Sequence, residues 1–149
     1  MERNEEMKRY VLDTSVVVKW FSTDEHGVDN AISLRQHMLE GKCSIVIPDL
    51  LFYELANALR HNPNFTARDV RESLDSIFNM GLDVMKIDNA VIACAIDIAY
   101  RFNVTVYDSY FLALSQIEKA PFVTADYKFW ERVKKFKGII RLSETNPLR

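Results

Sequence analysis

The sequence is poor in the residues that staple or break a chain: two cysteines, four prolines and four glycines stand in 149 residues. Cys43 and Cys94 are far apart, with no C-x-x-C pair and no histidine at zinc-finger spacing. Neither a disulfide framework nor a zinc ribbon is expected, and two buried free thiols in a cytoplasmic protein are the simpler reading. So little Gly and Pro leaves no composition for a long disordered tail. No apolar run approaches the roughly 18 residues of a membrane span. Residues 1–9 are polar and charged where a secretory leader needs an apolar centre. A large excess of one charge is missing too. The formal net charge is −2, which excludes a protein that coats nucleic acid through a basic surplus while leaving room for a local basic rim.

What is present suits one compact domain. A chain this long buries roughly two-thirds of its unfolded surface. Residues 1–7 read as a flexible extension, with Met7 as well as Met1 a possible start, and 8–149 as the domain. Short apolar runs alternate with longer segments of helical period. Strands are expected at 9–12, 44–47, 82–87, 121–124 and 138–142, the second broken by Pro48. Helices are expected at 14–21, 29–40, 50–61, 66–81, 89–102, 107–118 and 126–133, with Asp49 and Asp88 as caps. Strict alternation calls for an α/β domain whose parallel sheet is covered on both faces. In such sheets, sites form outside the carboxyl ends of the strands.

Four carboxylates fall at that edge. Asp13 directly follows the first strand, and Asp126 follows the fourth by one residue. Glu54 lies in the helix after the second strand, with Leu50, Leu51 and Ala58 at i−4, i−3 and i+4, inside an apolar stripe rather than on a solvated face. Asp108 is followed by Phe111, Leu112 and Ser115 at i+3, i+4 and i+7, which aims it inward. Each aspartate could instead be no more than an N-cap. Glu54 could be satisfied by a buried arginine or lysine. Without a cation, a glutamate on an apolar stripe costs several kcal/mol to desolvate. Converging carboxylates also raise one another's pKa values. A divalent ion relieves both. Oxygen donors alone indicate magnesium or manganese rather than zinc, and such a cluster fits phosphodiester hydrolysis.

These residues sit in segments that resemble a known family. VLDTSVVVKW (11–20) resembles the opening motif of PIN domains, and IPDLLFYELANAL (47–59) their second, with Glu54 in its acidic position. VYDSYFLAL (106–114) resembles the third and FVTAD (122–126) the fourth. The resemblance runs from about residue 8 to 142. It implies a single PIN-like domain with a five-stranded parallel sheet in the order 3-2-1-4-5, and a metal-dependent endoribonuclease. Asp13 and Asp108 would be the main ligands of Mg2+ or Mn2+. Glu54 and Asp126 would complete the acidic pocket, and Ser15 and Thr124 would hydrogen-bond and orient the carboxylates. Small single-domain members are usually VapC-type toxins of VapBC toxin–antitoxin pairs, homodimers blocked by an antitoxin segment laid into the groove. One departure stands out: relatives commonly carry a Gly just before residues 103–106, where this chain has Arg101 and Phe102.

Other features carry two readings each. Lys128, Arg132, Lys134, Lys135 and Lys137 are a solvated face or a phosphate-steering rim; Arg60 and Arg68 are weaker candidates on the same logic. Trp20, Phe21, Phe52 and Tyr53 fill the core or an interface, or stack RNA bases. His26, His37 and His61 stand apart with no nucleophile motif. Haloacid-dehalogenase-type phosphatases need a second Asp two residues after the first, where this chain has Ser15. A response-regulator receiver needs a Lys after the fifth strand, where Arg141 is no substitute. The serious alternatives are a PIN-like module that binds RNA or protein without cutting, and an RNA-processing nuclease without an antitoxin.

Overall fold

A computed structural model describes residues 7–22 and 26–145; residues 1–6, on which most of the expected extension falls, lie outside the described part. Five parallel strands run in the order β3-β2-β1-β4-β5: β1 (Lys8–Leu12), β2 (Cys43–Pro48), β3 (Asp83–Met85), β4 (Phe122–Thr124) and β5 (Ile139–Arg141). The family's expected order is the order found. β1 is the centre, pairing Val11 with both Val46 of β2 and Phe122 of β4. Val11, Leu12, Val46, Ile47, Phe122 and Val123 are fully buried or nearly so, as a sheet covered on both faces requires.

Among the described residues seven α-helices cover it: α1 (Thr14–Val17), α2 (Val28–Leu39), α3 (Leu50–Arg60), α4 (Ala67–Asn79), α5 (Asn89–Phe102), α6 (Val106–Glu118) and α7 (Tyr127–Val133). α1 tightens into a 3₁₀ turn, Val18–Trp20. α6 is buried on every side from Ser109 to Ser115. Its two hydroxyls survive there because they bond their own helix, Ser109 Oγ to the Thr105 carbonyl at 2.7 Å and Ser115 Oγ to the Leu112 carbonyl at 2.8 Å.

Several expected boundaries shift for local reasons. Pro48 ends β2 from within rather than breaking it. It needs no N–H there, and the next donor, Asp49 N–H, reaches the Met85 carbonyl at 3.0 Å. Asp49 itself is helical and its side chain makes no cap bond, so that cap is withdrawn. Asp88 does cap α5, accepting from the N–H groups of Ala90 and Val91. α4 opens on a reciprocal capping box between Thr66 and Asp69. β3 is three residues, not six, because an edge strand has one neighbour to pair with, and its Asp83 and Val84 are exposed. The turn between α5 and α6 is made at Asn103, left-handed at φ 53°. Asn is the residue other than Gly that adopts this conformation most readily, so the chain forms the turn without a glycine at 101 or 102.

Candidate active site

The strand order reverses between β1 and β4, the place where open α/β sheets carry their sites. Asp13 directly follows β1 there, and Asp126 lies two residues past the end of β4. Asp13 is fixed from several directions. Its N–H donates to the Val123 carbonyl at 3.0 Å, and its carbonyl accepts from Val16 N–H at 3.0 Å. Its Oδ2 accepts from Ser15 Oγ at 2.7 Å and Thr124 Oγ1 at 2.9 Å. Those hydroxyls are in turn aligned by backbone: Ala125 N–H donates to Ser15 Oγ and Asp126 N–H to Thr124 Oγ1, both at 3.0 Å. The carboxylate of Asp13 makes no cap bond to α1, so a simple N-cap does not account for it.

Burial is the largest influence on Asp13, which is only 7% exposed. Desolvation pushes its pKa from 3.8 up to about 7; the two hydroxyls pull the other way, and the charges of Asp108 and Glu54 add to the rise. Half-buried Glu54 accepts a bond from Thr14 Oγ1 at 2.8 Å. Its pKa is also raised by burial, opposed by Thr14 and reinforced by Asp108. Asp108 is the third residue of α6, not its cap. Thr105 is the cap, its hydroxyl accepting from Asp108 N–H at 3.1 Å. Burial raises the Asp108 pKa, with Thr105 opposing and Asp126 adding to the rise. Asp126 does cap α7, accepting from Phe129 N–H at 3.1 Å. The cap reading therefore fits one aspartate of three, and that one still acts electrostatically on Asp108.

The fold thus brings Asp13, Glu54 and Asp108 within electrostatic range of one another, and Asp126 within range of Asp108. They do not form a closed cage: among the described residues no three acidic, imidazole or thiol groups stand close enough to hold an ion as placed. Uncompensated carboxylates repel, which opposes tight convergence. The donor set, oxygen only and partly desolvated, fits a hard divalent cation. Thr14 is the participant that sequence reasoning missed. Its signal was its place between Asp13 and Ser15, where a hydroxyl in the first turn of α1 can reach across to α3.

Asp108 and Asp126 line a cleft of about 490 Å³ with Asn103, Val104, Thr105, Lys128, Phe129 and Arg132. The basic cluster divides here. Lys128 and Arg132 are at this cleft, whereas Lys134 pairs with Glu131 at 2.9 Å and lies over the Trp130 ring. Lys135 and Lys137 are exposed and do not line it. Arg60, exposed at the end of α3, is not among the lining residues either, and Arg68 pairs with Glu72 at 3.0 Å. Trp20 is core, its Nε1 donating to the Ala31 carbonyl at 2.8 Å. Phe21 is half-buried against the core. Phe52 stacks on Phe78 with ring centroids 4.3 Å apart. Of the four aromatics only Tyr53 is largely exposed.

The PIN domain family model matches residues 10–135, and the chain belongs to that family. Among solved structures it is similar to a toxin–antitoxin complex from Klebsiella pneumoniae, with a TM-score of 0.66 and 12% identity, over 91% of this chain and 99% of that one. VapBC2 from Rickettsia felis, bound to a DNA fragment from its promoter, gives a TM-score of 0.66 and 15% identity, over 89% and 96%. Mycobacterium tuberculosis VapC20, a Sarcin-Ricin loop cleaving toxin, gives 0.62 and 11%, over 80% and 93%. At such identities the likeness is one of fold. No curated protein sequence matches.

Proposed function

We propose that this chain is a metal-dependent endoribonuclease and the toxin of a VapBC-type pair, acting on RNA in the cytoplasm. The observation that carries the proposal is Asp13. A carboxyl group buried between the two central strands, held by two hydroxyls and pushed to a pKa of about 7 with Glu54 and Asp108 adding to the rise, is costly for the fold and calls for a positive partner. Membership of the PIN family and the toxin–antitoxin structures that share the fold support the choice of reaction.

Asp13 and Asp108 would be the main ligands, and Glu54 and Asp126 would complete the pocket. A bound Mg2+ or Mn2+ supplies Lewis acidity toward a phosphoryl oxygen and lowers the pKa of water. Ser15 and Thr124 keep Asp13 in one orientation, and Thr14 does the same for Glu54. Glu54, its carboxylate held by Thr14, would take a proton from the attacking water. A homodimer and a cognate antitoxin are part of the proposal; exposed apolar side chains on α5, Ile96 and Tyr100, support association of some kind.

The test is cleavage of RNA by purified protein in Mg2+ or Mn2+. Activity is expected to vanish with EDTA and to fall by at least about a hundredfold in Asp13→Ala and Asp108→Ala. Full activity in either variant, or in EDTA, overturns the assignment. Equal cleavage by a mock preparation would expose a contaminating nuclease. Light scattering checks the dimer, and co-purification with the product of a neighbouring small gene checks the antitoxin.

A further inference from the structure

We infer that Lys128 and Arg132 form a phosphate-binding subsite for the RNA strand beside the reacting carboxylates, with Arg132 locked into place by the backbone of Asn103. The inference rests on the nuclease proposal and deepens it. Lys128 and Arg132 are one turn apart on α7 and so share a face. They are the two cations among the residues lining the cleft that also contains Asp108 and Asp126. A cleft walled only by carboxylates repels a polyanion; two cations at its exposed rim reverse that where the strand enters. Among the described residues neither is spent in an ion pair, unlike Lys134, whose charge is met by Glu131.

Arg132 has a second property that a solvated surface arginine lacks. Its Nη1 donates to the Asn103 carbonyl at 3.0 Å. Asn103 is the left-handed residue that ends α5, and its backbone is itself part of the cleft wall. One corner of the guanidinium is therefore anchored to a rigid turn while its remaining N–H groups are free to meet a phosphate as a fork. An arginine held this way loses less rotamer entropy on binding than a free one. Asp108 and Asp126 are the acids of the proposed pocket that line this cleft, so the subsite lies on the α6 and α7 side of the acids, and the phosphate it takes would be a neighbour of the scissile one. Arg132 is the anchored contact, and Lys128 supplies the second charge.

Binding of a fluorescein-labelled single-stranded RNA of mixed sequence, followed by anisotropy in Ca2+ between about 50 and 200 mM salt, tests this. Arg132→Gln is expected to weaken binding about tenfold, and to lower the slope of log affinity against log salt by about 0.7, the signature of one lost phosphate contact on a single strand. Lys128→Gln is expected to lower the slope by a similar amount. Arg132→Lys should keep the slope yet lose part of the affinity, because an ammonium cannot hold Asn103 and a phosphate fork together. Lys134→Gln, with the same charge change at the C-cap of the same helix, should leave both unchanged. If Arg132→Gln proves unfolded by circular dichroism, Lys128→Gln decides alone, as it leaves the Asn103 anchor intact. Wild-type slopes in both variants of an active protein overturn the subsite and leave the nuclease standing. A wild-type chain that neither cleaves nor binds RNA overturns both.

Discussion

Asp13 shows how one side chain can be a burden and a tool at once. Folded, it holds its proton up to about pH 7; unfolded, it releases it near 3.8. The native state therefore binds the extra proton between those values, and without divalent ions stability should fall as pH rises through that window and level off above it. Asp13→Asn keeps an oxygen for Ser15 and Thr124 to bond while removing the charge. In metal-free protein at pH 8 it is expected to be about 1–3 kcal/mol more stable than wild type, a melting shift of roughly 3–10 °C, with the gap closing toward pH 4. Thermal melts across pH read this directly, and a wild type whose stability rises over the window would contradict the burial argument. Thr14 offers a second residue-level test. Thr14→Val removes the bond to Glu54 while keeping the bulk of the side chain, and should weaken Mn2+ binding about tenfold by calorimetry with little change in the metal-free melt.

Among the elements, the turn between α5 and α6 does the most to shape the cleft. Asn103 ends one helix in a left-handed conformation and Thr105 begins the next. Asn103→Ala should cost about 1 kcal/mol, because alanine lacks the side-chain amide that lets Asn hold a positive φ, and Asn103→Gly should be tolerated. Thr105→Ala removes the cap and should cost a further ~1 kcal/mol, measurable by urea titration, and should also reduce activity, because the first turn of α6 carries Asp108. The limits of the sequence show at this scale. Helices and strands were legible because their apolar periods are long. The caps were legible only in part: Asp88 caps α5 as expected, but Asp49 is already helical, and the cap of α6 is Thr105, which accepts from the N–H of Asp108. Cap propensity is a local preference, whereas which of several nearby polar residues wins is settled by tertiary packing. Thr14 escaped notice for the same reason, since its partner is 40 residues away.

For the whole molecule, the order of the strands matters more than any one motif. Asp13 and Asp126 are distant in sequence but follow neighbouring strands, at the point where the strand order reverses. The alternation of elements implied the parallel sheet, and the resemblance to PIN domains implied its strand order. The division of the basic cluster followed from neither, because Lys128 and Arg132 share a face of α7 while Lys134, Lys135 and Lys137 fall at or past its end, a boundary the sequence leaves loose. At this scale the expected outcome is linkage. An ion bound only by the folded protein should stabilise it by about 2.7 kcal/mol at a concentration a hundredfold above its Kd. Mn2+ should raise the melting temperature of wild type and leave that of Asp13→Ala unmoved.

The backbone of Asp13 is stitched to β4 on one side and to the first turn of α1 on the other, with its carboxylate gripped by two hydroxyls. Such an anchor has nowhere to travel. In the proposed site, any adjustment to the radius of an incoming ion would therefore fall to Glu54 and Asp108, each carried on a helix, so preference for the smaller or larger cation should be tuned from α3 and α6, with the end of β1 serving as the fixed datum.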